Sequence, residues 1–140
     1  MGCDINLYFE QKNTEGKWEK IDVPERLIPD DRYYELFAFL AGVRNYDDFY
    51  ITGQFLHRGI PIDASCPKEQ TDDFYLGDHS FTYAYLDEIL KSPWEKVKLH
   101  ECYFYAFCKH VLPRLSTPFY RESHTDEEER NIRVIMGFNR

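Results

Sequence analysis

Three short stretches of the 140-residue sequence carry side chains that can do chemistry. Near the N-terminus, Cys3, Asp4 and Asn6 fall within four positions. In an extended chain Asp4 and Asn6 share a face with their side-chain bases roughly 7 Å apart, so one ligand can touch both. Arg58-Gly59-Ile60-Pro61 sets a guanidinium beside a glycine that permits close approach and a proline that stiffens the loop, which suits a phosphate or carboxylate. Gly77-Asp78-His79-Ser80 is a turn ending in an imidazole between a carboxylate and a hydroxyl, the surroundings of a general base. Arg44 follows Tyr33 by three helical turns. A helix running past Gly42 would aim it into a cleft, and one ending at Gly42 would leave it on a loop. Tyr46, Phe49, Tyr50 and Phe55 interleave with Arg44 and Arg58, as a nucleobase and its phosphate would require.

Each group also has a plain structural role open to it. Asp4 and Asn6 suit the watered face of a sheet. Arg58 suits a surface ion pair worth about 0–1 kcal/mol. Asp78 and Ser80 suit turn formation, with His79 merely packing. The loop aromatics suit anchoring of the loop itself.

The elements that must position these groups follow from periodicity. Cys3 to Glu10 alternates, with Ile5, Leu7 and Phe9 opposite Asp4, Asn6, Tyr8 and Glu10, and predicts a half-buried strand. Asn13-Thr14-Glu15-Gly16 supplies a turn, and Lys17 to Val23 returns as the second strand of a hairpin. Tyr33, Leu36, Phe37 and Leu40 are spaced for a helix, with Asp30 or Asp31 as N-cap and Gly42 as its stop. Residues 43–80 hold no sustained period and read as a long irregular excursion, a length more often functional or mis-assigned than idle. Tyr85 to Lys91 predicts a short helix. Ser92-Pro93-Trp94-Glu95 predicts the capped start of another that runs to about Leu112. Thr125 to Arg130 reads as exposed charge, and Asn131 to Phe138 as a terminal strand. The expected fold is a single α+β domain over 1–140: an antiparallel sheet of the N-terminal hairpin and the C-terminal strand, covered on one face by helices.

Composition narrows the function. Seventeen Lys and Arg against 25 Asp and Glu leave a net charge of −8, which disfavours nucleic acid and anionic membranes but permits docking on a basic protein surface. No run of about 18 apolar residues exists, and the start lacks a signal-peptide pattern, so a cytoplasmic protein is expected. Cys3, Cys66, Cys102 and Cys108 are expected to be reduced and lack metal-ligand spacing. Phosphate-loop, nucleophile-elbow, zincin, EF-hand and dinucleotide motifs are absent, so neither a metal nor a cofactor is expected.

Met1-Gly2-Cys3-Asp4-Ile5, the block Arg32 to Asn45, Arg58-Gly59-Ile60-Pro61-Ile62-Asp63, Asp78-His79-Ser80 and Arg133 to Asn139 together resemble the ordered landmarks of a family of small proteins frequent in phage and prophage genomes. The resemblance spans the chain. Members usually carry histidine where this sequence has Asn6 and aspartate where it has Asn139. It implies an accessory factor made inside an infected bacterium that blunts host defence.

Three functions compete. One is a binding protein for a small anionic, nucleotide-like ligand, using Cys3, Asp4, Asn6, Arg44, Arg58, His79 and Ser80. Another is an acidic inhibitor that docks on a host protein through Asp72-Asp73 and Asp126 to Glu129. The third is a small hydrolase using His79 with Asp4, or with Cys3 as nucleophile. Self-association is compatible with all three.

Overall fold

The computed structural model describes residues 2–44, 52–116 and 125–139. Its centre is a four-stranded antiparallel sheet in the order β2-β1-β4-β3, made of β1 (Asp4–Lys12), β2 (Trp18–Lys20), β3 (His79–Tyr85) and β4 (Ile132–Asn139). The two chain ends form its middle, since β1 and β4 pair in register from Asp4 opposite Asn139 to Gln11 opposite Ile132. The hairpin turn forms as its residues require: the Asn13 carboxamide oxygen accepts the backbone N–H groups of Glu15 and Lys17, both at 3.0 Å. The returning strand is shorter than predicted, ending at Lys20 before Pro24.

Strand β3 was not foreseen. Its outward residues are Phe81, Tyr83 and Tyr85 and its inward ones Thr82 and Ala84, so alternation exists without the polar contrast that reveals it. Both faces of this sheet are covered, which explains the pattern. Ile5, Phe9, Ala84, Val134, Met136 and Phe138 face the helices. Tyr8 and Ile135 face Cys66 and Leu76 of the excursion, flanked by Phe74, Phe81 and Tyr83.

Helix α1 (Tyr34–Ala41) buries Leu36 to Leu40 without a break, because it lies between the sheet and the other helices: Phe37 meets Phe138 at 5.3 Å and Phe39 meets Trp94 at 4.6 Å between ring centroids. Its N-cap is Tyr33 rather than Asp30 or Asp31. It stops where predicted, in a left-handed glycine cap: Gly42 adopts φ +70°, its N–H bonds to the Ala38 carbonyl at 2.9 Å, and the Val43 N–H reaches the Phe37 carbonyl at 3.3 Å.

Helix α2 (Leu86–Lys91) forms as expected, with Tyr85 at its N-cap donating a backbone N–H to the Glu88 carboxylate at 3.1 Å. The helix predicted from Ser92 does not form there. The Ser92 hydroxyl turns back to the Glu88 carbonyl at 2.8 Å, and the buried Trp94 ring donates its Nε1–H to the Ile89 carbonyl at 2.6 Å, so both side chains close α2 instead of opening a new helix. One turn follows and ends in its own Schellman pair, Lys98 N–H to Glu95 and Leu99 N–H to Trp94. The helical stretch begins only at Tyr103. It runs through α3 (Tyr103–Ala106), a π-helical turn (Phe107–Val111) and α4 (Leu112–Leu115). Pro113 has no N–H to offer the Lys109 carbonyl, and the chain widens ahead of it. The charged stretch Thr125 to Arg130 is largely exposed, as expected, and it is also ordered as helix α5 (Asp126–Glu129): Thr125 and Glu128 cap it reciprocally, Glu129 alone is buried, and Asp126 pairs with Lys91 at 2.5 Å.

Between residue 52 and His79 no helix or strand forms among the described residues, yet the segment is pinned along its length. The Gln54 and Phe55 N–H groups bond to the Phe39 and Leu40 carbonyls, and the Gly59 N–H to Phe81. Gln70 bridges to Leu76 and Gly77. The strongest anchor is ionic. Glu10, wholly buried, accepts from the Arg133 Nε–H at 2.6 Å and, through its other oxygen, from the Ser65 N–H and hydroxyl at 2.5 and 2.6 Å. Arg133 also reaches Asp63 at 2.9 Å and lies 3.9 Å from the Trp18 ring centroid. Gly137 completes the arrangement, because a Cβ there would collide with the Leu76 carbonyl where the excursion crosses β4.

Candidate functional site

At the end of the sheet where β1 begins, β4 ends and β3 begins, the C-terminus of α1 borders an open recess of about 840 Å³ lined by Cys3, Gly42, Val43, Arg44, Asp78, His79 and Ser80. Three segments remote in sequence thus converge, and the size falls within the range of small-molecule sites, about 300–1,000 Å³.

Each lining residue is placed by its element. Cys3 is buried at the entry to β1, its backbone N–H bonded to the Tyr34 hydroxyl at 3.0 Å. Arg44 follows the Gly42 cap and itself adopts φ +55°, and its guanidinium lies over the Tyr34 ring, 5.4 Å from the centroid. The sequence offered a cleft position only if α1 continued past Gly42. The helix ends there and Arg44 reaches the recess nonetheless, carried by two left-handed residues, Gly42 and Arg44 itself, on either side of Val43. His79 stacks on Phe138 at 6.4 Å, its Nδ1 is 2.9 Å from the Ser80 hydroxyl, and its Nε2 is 3.8 Å from Asp78. Ser80 sits at φ +58° in the irregular register between His79 and Thr82.

Four non-glycine residues have positive φ among the described residues, Arg44, His57, Ser80 and Lys98, and two of them line this one recess. Such conformations cost of order 1–3 kcal/mol each and gather at ligand sites. The polarity is mixed. Arg44 supplies positive charge, while Asp78 and the carbonyl end of α1 supply negative character.

Of the seven residues picked out from sequence, Cys3, Arg44, His79 and Ser80 come together here, and the other three do not. Arg58 is engaged elsewhere: it forms a two-pronged pair with Glu88, both contacts 2.7 Å, donates to the Tyr83 carbonyl at 3.2 Å, and stacks between Phe55 and Tyr83. The Arg58 hydrogen bond holds the Glu88 carboxyl below its ordinary value. Asp4 is bound by Arg32 at 2.6 Å, which lowers its carboxyl as well. Asn6 donates to the Asn139 side chain at 2.7 Å. Asn139 also hydrogen-bonds the Asp4 carboxylate, so the three side chains form one polar cluster beside the recess. Phe55 is buried in the helix-side core with the Arg58 guanidinium over its ring, so it has no face left for a nucleobase, and Tyr46, Phe49 and Tyr50 lie outside the described residues.

Cys3 and His79 line the same recess without a hydrogen bond between them, and Asp4 is held by Arg32. No group of three or more His, Cys, Asp or Glu residues is placed to hold a metal among the described residues. No helix among them is long and apolar enough to cross a membrane. Sequence reading missed the lining role of Asp78, although it stood beside His79 in the turn.

No family model matches the chain, and no curated protein or solved structure is significantly similar to it.

Proposed function

We propose that the protein binds a small phosphorylated, hydroxyl-bearing ligand of nucleotide class in the recess at the start of β1 and β3. The observation that carries this reading is the pairing of Arg44 with Ser80, each held in a left-handed backbone at the rim of the same cavity. Arg44 receives the phosphate, for which a guanidinium is the best-matched side chain. Asp78, His79 and Ser80 face the ligand's hydroxyl or amino groups, since a carboxylate can only accept hydrogen bonds from them. A ligand anionic at one end and rich in donors at the other fits the mixed polarity better than a bare anion does.

We put sequestration ahead of turnover because Cys3 and Asp4, the groups expected to work with His79 in a hydrolase, make no hydrogen bond to it among the described residues; the hydroxyl on its Nδ1 is that of Ser80. For an accessory protein of phage type, such sequestration would remove a host defence signal. The test is a panel of cyclic and linear nucleotides scored by thermal shift and by product chromatography. A shift with the ligand recovered intact supports the reading. New products support catalysis, and no shift with any member of the panel contradicts it.

A further inference from the structure

The loop 60–68 presents a second feature, on the sheet face away from the helices. Ile62 is fully exposed at its tip and Ile60 is 44% exposed, with Pro61 between them. Beside the tip lies an apolar groove of about 250 Å³ lined by Ile60, Pro61, Ile62, Ala64, Cys66 and Pro67, with Lys68 at its rim. An isoleucine wholly in water on a soft loop would need no explanation. This loop is not soft. Asp63, next to the tip, is bound to the buried Arg133, and Ser65 donates twice to the buried Glu10. Two flanking anchors thus hold an apolar knob in a fixed position, and such preorganisation removes the ordering cost that otherwise weakens association.

We propose that this loop is a self-complementary interface through which two copies of the chain form a two-fold dimer. Knob and groove belong to one short segment, so a two-fold axis beside Ile62 seats each copy's Ile62 in the other's groove. The rim charges agree with that choice. Asp63 is 62% exposed despite its contact with Arg133, and Lys68 borders the groove, so the axis brings the Asp63 of one copy toward the Lys68 of the other. A chain of net charge −8 repels its own copy at long range, and the opposite charges of Asp63 and Lys68 offset part of that repulsion at contact.

Sedimentation velocity across micromolar to submillimolar concentrations tests the proposal. The natural chain is expected to dimerise. Ile62→Asp is expected to raise the dimer dissociation constant roughly a hundredfold or more, since two buried isoleucines are lost per dimer. Lys68→Glu is expected to raise it several-fold. Neither side chain has a part in the core, and unchanged circular dichroism and melting temperature of the diluted monomer verify that. A natural chain that stays monomeric throughout, or an Ile62→Asp variant that dimerises as well as the natural chain, overturns the proposal.

Discussion

Glu10 and Arg133 stand directly opposite each other on β1 and β4, and their carboxylate–guanidinium contact of 2.6 Å is almost wholly shut off from water, at 0% and 1% side-chain exposure. The pair lies under the excursion, and both members reach out of the sheet to hold it, at Ser65 and Asp63. A buried pair is poor evidence of net stability, because desolvation offsets attraction, but removing one member strands the other. Its role here is to fix where an otherwise irregular segment lies.

Glu10→Leu or Arg133→Met alone should therefore destabilise the protein by about 3–5 kcal/mol. The double change Glu10→Leu with Arg133→Met should recover much of that loss while leaving residues 60–66 loosely held. Urea denaturation measures the first effect, and amide hydrogen exchange at Ser65 measures the second. Additive losses in the double variant would show that the two residues do not act as a pair.

Much of the framework was legible beforehand. Strands β1 and β4 and the stop of α1 at Gly42 follow from alternation and from one glycine with an evident purpose. Strand β3 was hidden because both of its faces are covered, so no polar residue marks the outer one. The start at Ser92 misled because a capping box is a local signal, and the longer-range demand to bury Trp94 against α2 overrode it. In the recess, Cys3, His79 and Ser80 were found by residue type alone. Arg58 was misplaced for the same reason: a guanidinium in a loop suits a ligand and a neighbouring carboxylate equally, and only the position of Glu88 decides between them.

Acid should reveal that last pair. Arg58 lowers the Glu88 carboxyl in the folded protein, so the pair's contribution is present above the unfolded carboxyl value of about 4.3 and is lost as the pH falls through the lower, folded value. The stability gap between the natural protein and Glu88→Gln should be constant from neutrality down to about pH 5 and should shrink below about pH 4. Denaturation curves at several pH values measure it. A gap that widened in acid would contradict the assignment.

Lys98 occupies the position of a Schellman turn that normally takes glycine, at φ +59°, with no hydrogen bond from its side chain among the described residues. Lys98→Gly should stabilise the protein by roughly 0.5–1 kcal/mol, because relief of the left-handed strain outweighs the added freedom of the unfolded chain. Thermal unfolding is the measurement. Arg44 and Ser80 are strained in the same way, and the comparison is instructive: glycine at those sites should also stabilise the fold but should weaken binding, whereas Lys98→Gly should leave binding unchanged.

Arg44 and Arg58, indistinguishable by residue type, part in the structure: Arg44 lines the recess and Arg58 pairs with Glu88. Calorimetric titration of the nucleotide giving the largest thermal shift should be run on the natural protein, on Arg44→Ala and on Arg58→Ala. The account predicts that Arg44→Ala loses tenfold or more in affinity, about 1.4 kcal/mol or greater, while Arg58→Ala, though less stable, binds as the natural protein does. Equal affinities for the natural protein and Arg44→Ala, or a loss confined to Arg58→Ala, would contradict it.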